Sequence, residues 1–65
     1  MEIILNGKPC STGDPCSVSG LLERLQLEGK LAVEINEHII PRSQFDSHIV
    51  SAGDKVEIIH AIGGG

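Results

Sequence analysis

The stretch that decides the fold is KVEIIHAIGGG, residues 55–65, in which an apolar run is followed at once by three glycines. Valine and isoleucine dominate residues 55–62, as is typical of a β-strand, so we predict that they form the last strand of the domain. Glycine lacks a Cβ atom, so residues 63–65 can take nearly any backbone conformation and enter a narrow channel. The sequence therefore predicts a folded domain over residues 1–62 and a flexible glycine tail over residues 63–65, with the Gly65 carboxylate at its end.

The other predicted strands are short and are separated by turn residues. Asn6-Gly7 predicts a hairpin, because both residues tolerate a positive φ, and Pro9 marks its second strand as an edge strand. Asn36-Glu37 predicts another turn, and residues 42–47 predict a loop or a single helical turn with Phe45 directed inward. The predicted strands are residues 1–5, 8–11, 31–35, 38–40 and 55–62.

One helix is predicted between the hairpin and the third strand. Ser17 is its expected N-cap, because a serine hydroxyl accepts a hydrogen bond from a first-turn N–H. Gly29 is its expected stop signal. Apolar residues recur at i, i+3, i+4 and i+7, which is one face of a helix. They are Val18, Leu21, Leu22 and Leu25.

Alternation along the first and last strands predicts a docking surface. If Val56 and Ile58 face the helix, Ile59 and Ala61 face away from it, and Ile4 does the same in the first strand. With Ile62, these residues would form an exposed apolar patch of the kind that binds a partner. The alternative is a register shifted by one residue, or long polar side chains that cover the patch.

Composition limits the classes of function. Net charge is −4 and Phe45 is the single aromatic residue among 65, so the chain lacks the basic stripe and stacking aromatics of nucleic-acid binders. No apolar run approaches the ~20 residues of a membrane span, and Met1 opens directly into a predicted strand, so no signal peptide is expected. We expect one small cytoplasmic domain that docks on other proteins. A core this small leaves little room for a deep active site, which argues against a self-sufficient enzyme.

The potential metal ligands and nucleophiles are scattered. Cys10 and Cys16 are separated by five residues, which is not the spacing of a Cys-X-X-Cys redox or zinc motif. His38, His48 and His60 show no ligand-pair spacing. We predict no metal site, and two free thiols in a reducing compartment.

Six short pieces of the chain, taken in order, carry a family resemblance. They are Asn6-Gly7, Ser17-Val18 with Leu21-Leu22-Glu23, Val33-Glu34-Ile35-Asn36, Ile40-Pro41-Arg42, Gly53-Asp54-Lys55-Val56-Glu57-Ile58 and Gly63-Gly64-Gly65. Together they resemble the ThiS family, the sulfur carrier proteins of thiamine thiazole biosynthesis. The resemblance covers essentially all 65 residues without an insertion. The two cysteines before the helix, and Gly20 within it, depart from some relatives.

The resemblance implies an α+β fold of the β-grasp (ubiquitin-like) type. A mixed sheet of four to five strands would carry one main helix on one face. The first and last strands would lie side by side and parallel at the centre of the sheet, joined by a crossover that contains the helix. The glycine tail would then leave the end of a central strand.

The resemblance also implies a carrier protein rather than an enzyme. A partner related to the ubiquitin-activating enzymes would use ATP and Mg²⁺ to adenylate the Gly65 carboxylate. A sulfur donor protein would convert the adenylate to a thiocarboxylate, and thiazole synthase would take the sulfur. Gly64 and Gly63 would give the tail access to these partners, and the chain itself would bind no cofactor.

Three alternatives remain open from the sequence. A sulfur carrier for molybdopterin synthesis or another pathway would share the fold, although such relatives tend to be longer. A ubiquitin-like protein modifier would end as an isopeptide on a target lysine. A plain interaction module would carry the glycine tail without using it.

Overall fold

The computed structural model describes residues 1–60, which form seven strands, one α-helix and one 3₁₀ turn. The strands are β1 (Glu2–Leu5), β2 (Lys8–Ser11), β3 (Cys16–Ser17), β4 (Leu31–Ile35), β5 (His38–Ile40), β6 (Ile49–Val50) and β7 (Lys55–His60). The helix α1 is Val18–Arg24, and the 3₁₀ turn is Arg42–Gln44. Within this part of the chain, no helix is long and apolar enough to cross a membrane.

Five of the strands form one mixed sheet in the order β2-β1-β7-β4-β5. β1 and β7 are parallel neighbours, with Leu5 opposite Val56, whereas the other neighbouring pairs are antiparallel. A parallel pair needs a long crossover, and the segment that contains α1 provides it. The predicted β-grasp fold is confirmed, with β7 at the centre of the sheet.

The helix begins as the sequence predicts. The Ser17 hydroxyl accepts a hydrogen bond from the Gly20 N–H at 3.0 Å, which satisfies one of the free donors of the first turn. Two further N–H groups are satisfied from outside the helix. Val18 donates to the His48 carbonyl and Ser19 donates to the Phe45 carbonyl, each at 2.9 Å.

The helix ends earlier than the predicted stop at Gly29. α1 ends at Arg24, and its C-cap is Leu25. Gln26, the residue after the C-cap, has the left-handed conformation, with φ 58°, that glycine most often adopts there. The Gln26 N–H donates to Glu23 and the Leu27 N–H donates to Leu22, each at 3.0 Å, as in a Schellman motif. Leu27 thereby packs against the core, and this contact favours the early turn over another turn of helix.

The core lies between α1 and one face of the sheet, which we call the inner face. Its members among the described residues are all apolar: Ile3, Val18, Leu21, Leu22, Leu31, Val33, Ile35, Ile40, Phe45, Val50, Val56 and Ile58. The predicted inward direction of Val56 and Ile58 is confirmed, as is the burial of Phe45 after the 3₁₀ turn. The opposite face of the sheet, the outer face, carries no helix among the described residues.

A second, two-stranded sheet was not expected from the sequence. β3 and β6 pair antiparallel, with Cys16 opposite Val50 and Ser17 opposite Ile49. Each strand has only two residues, too few to show a periodicity. The small sheet connects the start of α1 to the chain that precedes β7.

Candidate functional site

The predicted working end of the chain lies outside the described residues. Gly65, Gly64 and Gly63 belong to this part of the chain, as do Ala61 and Ile62 of the predicted patch. The structure describes β7 through His60 and therefore defines the base from which these residues continue. The part of the candidate site that the structure describes is this end of β7 together with the outer face of the sheet.

β7, the strand that leads into the tail, pairs with β4 as far as its last described residue, His60. β4 and β7 pair antiparallel from Ile35 opposite Val56 to Leu31 opposite His60. On the other side, the pairing of β1 with β7 stops at Leu5 opposite Val56, because β1 ends there. The last part of β7 therefore needs another partner on the β1 side.

Asn6 is that partner. It is the first residue of the turn after β1, with φ 49°, and its own N–H donates to the Val56 carbonyl at 2.9 Å. Its side-chain Oδ1 accepts from the Ile58 N–H at 2.9 Å, and its Nδ2 donates to the Ile58 carbonyl at 3.2 Å. The Asn6 carboxamide thus continues the hydrogen bonding of β1 along β7.

Asn36 makes a related contact at the opposite end of β7. It also begins a turn with a positive φ, 51°, and its N–H donates to the Lys55 carbonyl at 2.8 Å. Its Oδ1 accepts from the Lys55 N–H at 3.0 Å, while its Nδ2 donates to Asp54 Oδ1 at 3.1 Å. Asn36 thus binds the first residue of β7, and Asn6 binds two residues further along the same strand.

The outer face exposes the isoleucines that the sequence predicts. Ile59 is 59% exposed and Ile4 is 37% exposed. The register does not bring them together, however. Ile4 lies opposite Lys55, and Ile59 follows four residues later on β7, which corresponds to about 13 Å at the rise of a strand. Ile59 lies opposite Ala32 instead.

Ile39 is the outer-face residue that sequence reasoning missed. It is 76% exposed and lies opposite Glu34. Ile39, Ile59 and Ala32 line a shallow groove of about 80 Å³ on the outer face, and we call these three residues the outer-face patch. The order of strands was needed to find it, because β5 and β7 are separated by β4.

Two glutamates adjoin the outer-face patch. Glu34 on β4 lies directly opposite Glu57 on β7, and both line the same groove. Like charges directly opposite one another in a sheet are destabilising. Glu34 lies between Ile39 and Glu57 across the sheet. Apolar side chains and carboxylates are therefore neighbours on this surface, which suits a partner that brings both an apolar contact and a basic side chain.

The two cysteines occupy structural positions. Both are free and partly buried, and both pack against the core. A Cβ atom placed on Gly20 would lie 3.2 Å from the Cys16 Cβ and 3.4 Å from the Ser17 Oγ, so glycine allows α1 to approach β3 closely. Within residues 1–60, no group of three or more His, Cys, Asp or Glu side chains could hold a metal ion.

A second groove, on the helix side of the domain, is lined by both apolar and polar residues. It measures about 320 Å³ and lies between the end of α1 and the 3₁₀ turn. Its polar groups already bond one another, because Ser19 donates to Asp46 and the Arg42 Nη2 donates to the Gly29 carbonyl. We assign no ligand to this groove.

The model of the ThiS family matches residues 3–65. The chain belongs to the ThiS family. The predicted resemblance is thereby confirmed, and with it membership of a family of small sulfur carrier proteins.

Two relatives differ in how much of their own length this chain matches. The chain is 36% identical over 66 aligned residues to the sulfur carrier protein ThiS of Escherichia coli, with all of both chains covered. It is 38% identical over 66 aligned residues to a thiazole synthase of Paramagnetospirillum magneticum. In that case all of this chain matches only 20% of the relative, so it spans a fifth of that protein.

A solved ThiS structure has the same fold. The crystal structure of the thiamine biosynthesis protein ThiS from Geobacter metallireducens superposes with a TM-score of 0.88 at 33% identity. The match covers all of both chains. The chain is therefore similar to thiamine biosynthesis proteins in both sequence and structure.

Proposed function

We propose that this chain is a sulfur carrier whose Gly65 carboxylate is adenylated by a partner enzyme, converted to a thiocarboxylate and used by a thiazole synthase. The observation that carries the proposal is the alignment with the E. coli sulfur carrier, which covers both chains completely. The match within a thiazole synthase supports the last step, because a domain of this kind occurs in a protein of that name.

The first proposed step makes the carboxyl group reactive. A terminal carboxyl group is ionised at neutral pH, and a carboxylate is a poor electrophile. One of its oxygens would attack the α-phosphorus of ATP, and pyrophosphate would leave, which gives an acyl-adenylate. The partner would supply Mg²⁺ and the charge stabilisation for this step.

The second proposed step replaces oxygen by sulfur. A sulfur nucleophile of the donor protein would attack the acyl carbon, and AMP would leave as the carbon–oxygen bond breaks. If the donor is a cysteine persulfide, a thiol must then cleave the sulfur–sulfur bond and end as a disulfide. The product is a thiocarboxylate on Gly65, which is itself a nucleophile for the synthase reaction.

The chain contributes access and position rather than catalytic groups. Gly65 leaves its own carbonyl carbon sterically open, and Gly64 and Gly63 let the backbone lie close to the walls of a channel. Holding the reacting carboxylate in place converts an encounter between two proteins into an effectively intramolecular reaction. We propose that the outer-face patch provides the binding energy for this positioning.

Docking of the activating enzyme is expected to depend on Ile59. Ile59→Asp should weaken binding by about 10- to 100-fold, because a buried apolar contact of ~1–3 kcal/mol is replaced by a carboxylate beside Glu57. Binding is measured by isothermal titration with the activating enzyme. Ile49→Asp is the matched control, because Ile49 is 55% exposed and lies on β6, away from the outer face. Equal effects of the two variants, or loss of folding in Ile59→Asp alone, would contradict this assignment.

Intact mass spectrometry tests the proposed function itself. The folded chain is incubated with candidate activating enzymes, Mg-ATP and a sulfur donor. The expected product is heavier than the starting chain by the mass difference between a sulfur atom and an oxygen atom. It should not form when ATP is omitted. Attachment of the chain to lysines of other proteins would show a modifier instead, and no change with any activating enzyme would overturn the proposal.

A further inference from the structure

We propose that Asn6 is a positioning residue for reaction at Gly65, because its carboxamide fixes the segment of β7 from which the tail continues. This inference rests on the proposed function, and it assigns a role within that function to a residue far from the reacting group. Asn6 and Ile58 are 52 positions apart in sequence, yet they share two hydrogen bonds.

The topology explains why this contact is needed. β1 stops pairing at Val56, and the chain then turns away into β2. β7 continues to His60 with β4 on one side only. A carboxamide has the same donor and acceptor as a peptide group, so the Asn6 side chain makes the hydrogen bonds that the peptide groups of a longer β1 would have made to Ile58.

The geometry of the turn does not by itself require an asparagine at position 6. A type I′ turn favours Asn-Gly because both residues have a positive φ, and Asn6 and Gly7 have φ of 49° and 83°. Glycine at position 6 would satisfy that demand as well. Only asparagine satisfies it and also has a donor and an acceptor of the right length for Ile58, since aspartate has no donor.

The contact matters for reactivity because of where it lies. Ile58 is seven residues before Gly65, so any movement of β7 at this point changes the position from which the following residues continue. Ile59, in the outer-face patch, is the next residue. Ile59 is held by its own pairing with Ala32. Fixing Ile58 therefore fixes the origin of the tail relative to the docked domain, which preserves the alignment that reaction at a distant carboxylate requires.

The chain contains its own control for this idea. Asn36 has a φ close to that of Asn6 and also accepts from a β7 N–H, but it acts at Lys55, at the far end of the strand. Removing the Asn36 side chain costs the domain hydrogen bonds of the same kind without loosening the base of the tail. A purely structural role predicts the same consequences for both asparagines, whereas a positioning role does not.

The experiment compares Asn6→Gly, Asn6→Asp and Asn36→Gly with the wild-type chain. Pyrophosphate release by the activating enzyme is measured against carrier concentration at saturating ATP, at a temperature where circular dichroism shows all four chains folded. Asn6→Gly is expected to lower kcat by about tenfold with less than about a twofold change in KM, because docking is retained but productive alignment is lost. Asn6→Asp, which keeps the acceptor for the Ile58 N–H, should fall between Asn6→Gly and wild type. Asn36→Gly should keep the wild-type kcat.

Amide hydrogen exchange gives a second readout that does not depend on the enzyme. Exchange at Ile58 should accelerate in Asn6→Gly, because its N–H loses the Asn6 Oδ1 acceptor, whereas in Asn36→Gly the acceleration should occur at Lys55. Equal kcat values for Asn6→Gly and wild type, or equal losses in both glycine variants, would overturn the inference alone. A wild-type chain that no activating enzyme modifies would overturn the proposed function, and the inference with it.

Discussion

Removal of Gly64 and Gly65 is expected to abolish adenylation and thiocarboxylate formation while leaving the melting temperature nearly unchanged. The new terminal carboxylate would be two residues closer to β7 and would fall short of the α-phosphate of ATP by up to about 7 Å. Within residues 1–60 the core consists of residues between Ile3 and Ile58, and the truncation leaves all of them in place. Intact mass and thermal unfolding of the same preparation check both halves of this prediction.

A Gly65→Ala variant is the control for the truncation. It keeps the length of the tail and the carboxylate but adds a Cβ atom next to the reacting carbon. We expect it to retain docking and to lose only part of the adenylation rate. Marked unfolding of the truncated chain would show that the tail is structural, and adenylation of the truncated chain would show that Gly65 is not the reacting residue.

The second large effect is expected for Ile58→Ala, which should lower the free energy of unfolding by about 2–4 kcal/mol. Ile58 is 8% exposed in the core, and a domain of this size has a total stability of the order of 5 kcal/mol. Ile59→Ala, one position further along the same strand, should cost less than about 1 kcal/mol because its side chain faces the outer face.

Urea unfolding followed by circular dichroism measures both isoleucine variants. Since they remove the same atoms from adjacent positions, their difference reports which side chain is buried and little else. A larger loss for Ile59→Ala would mean that the register of β7 is shifted by one residue. The docking assay then separates the roles further, because Ile59→Ala should weaken binding to the activating enzyme although it folds normally.

Periodicity made much of the fold predictable. The helix face of Val18, Leu21 and Leu22 and the alternation of Val56 and Ile58 are local patterns, and the structure confirms both. The parallel arrangement of β1 and β7 was available only through the family resemblance, since no local pattern states which strands become neighbours. The early end of α1 was missed because Gln26 takes a backbone conformation that the packing of the partly buried Leu27 against the core favours.

The candidate site was predictable only in part. The glycine tail is a feature of the sequence itself, and its role stays a prediction because those residues lie outside the described part of the chain. Ile4 and Ile59 were correctly expected to be exposed, but their separation depends on the β1–β7 register. Ile39 could not be added without the β4–β5 register, because it comes from a different hairpin.

The position of β7 has a consequence for the synthesis of the protein. β7 is the last described element along the chain, yet it lies between β1 and β4 at the centre of the sheet. A nascent chain on the ribosome therefore cannot close its sheet until residues 55–60 have emerged, because the contacts that complete the core join opposite ends of the sequence. Fragments released before that point would lack the central strand and remain substrates for proteases. Synthesis thus couples the appearance of a folded domain to the emergence of β7, the strand from which the proposed reactive residues continue.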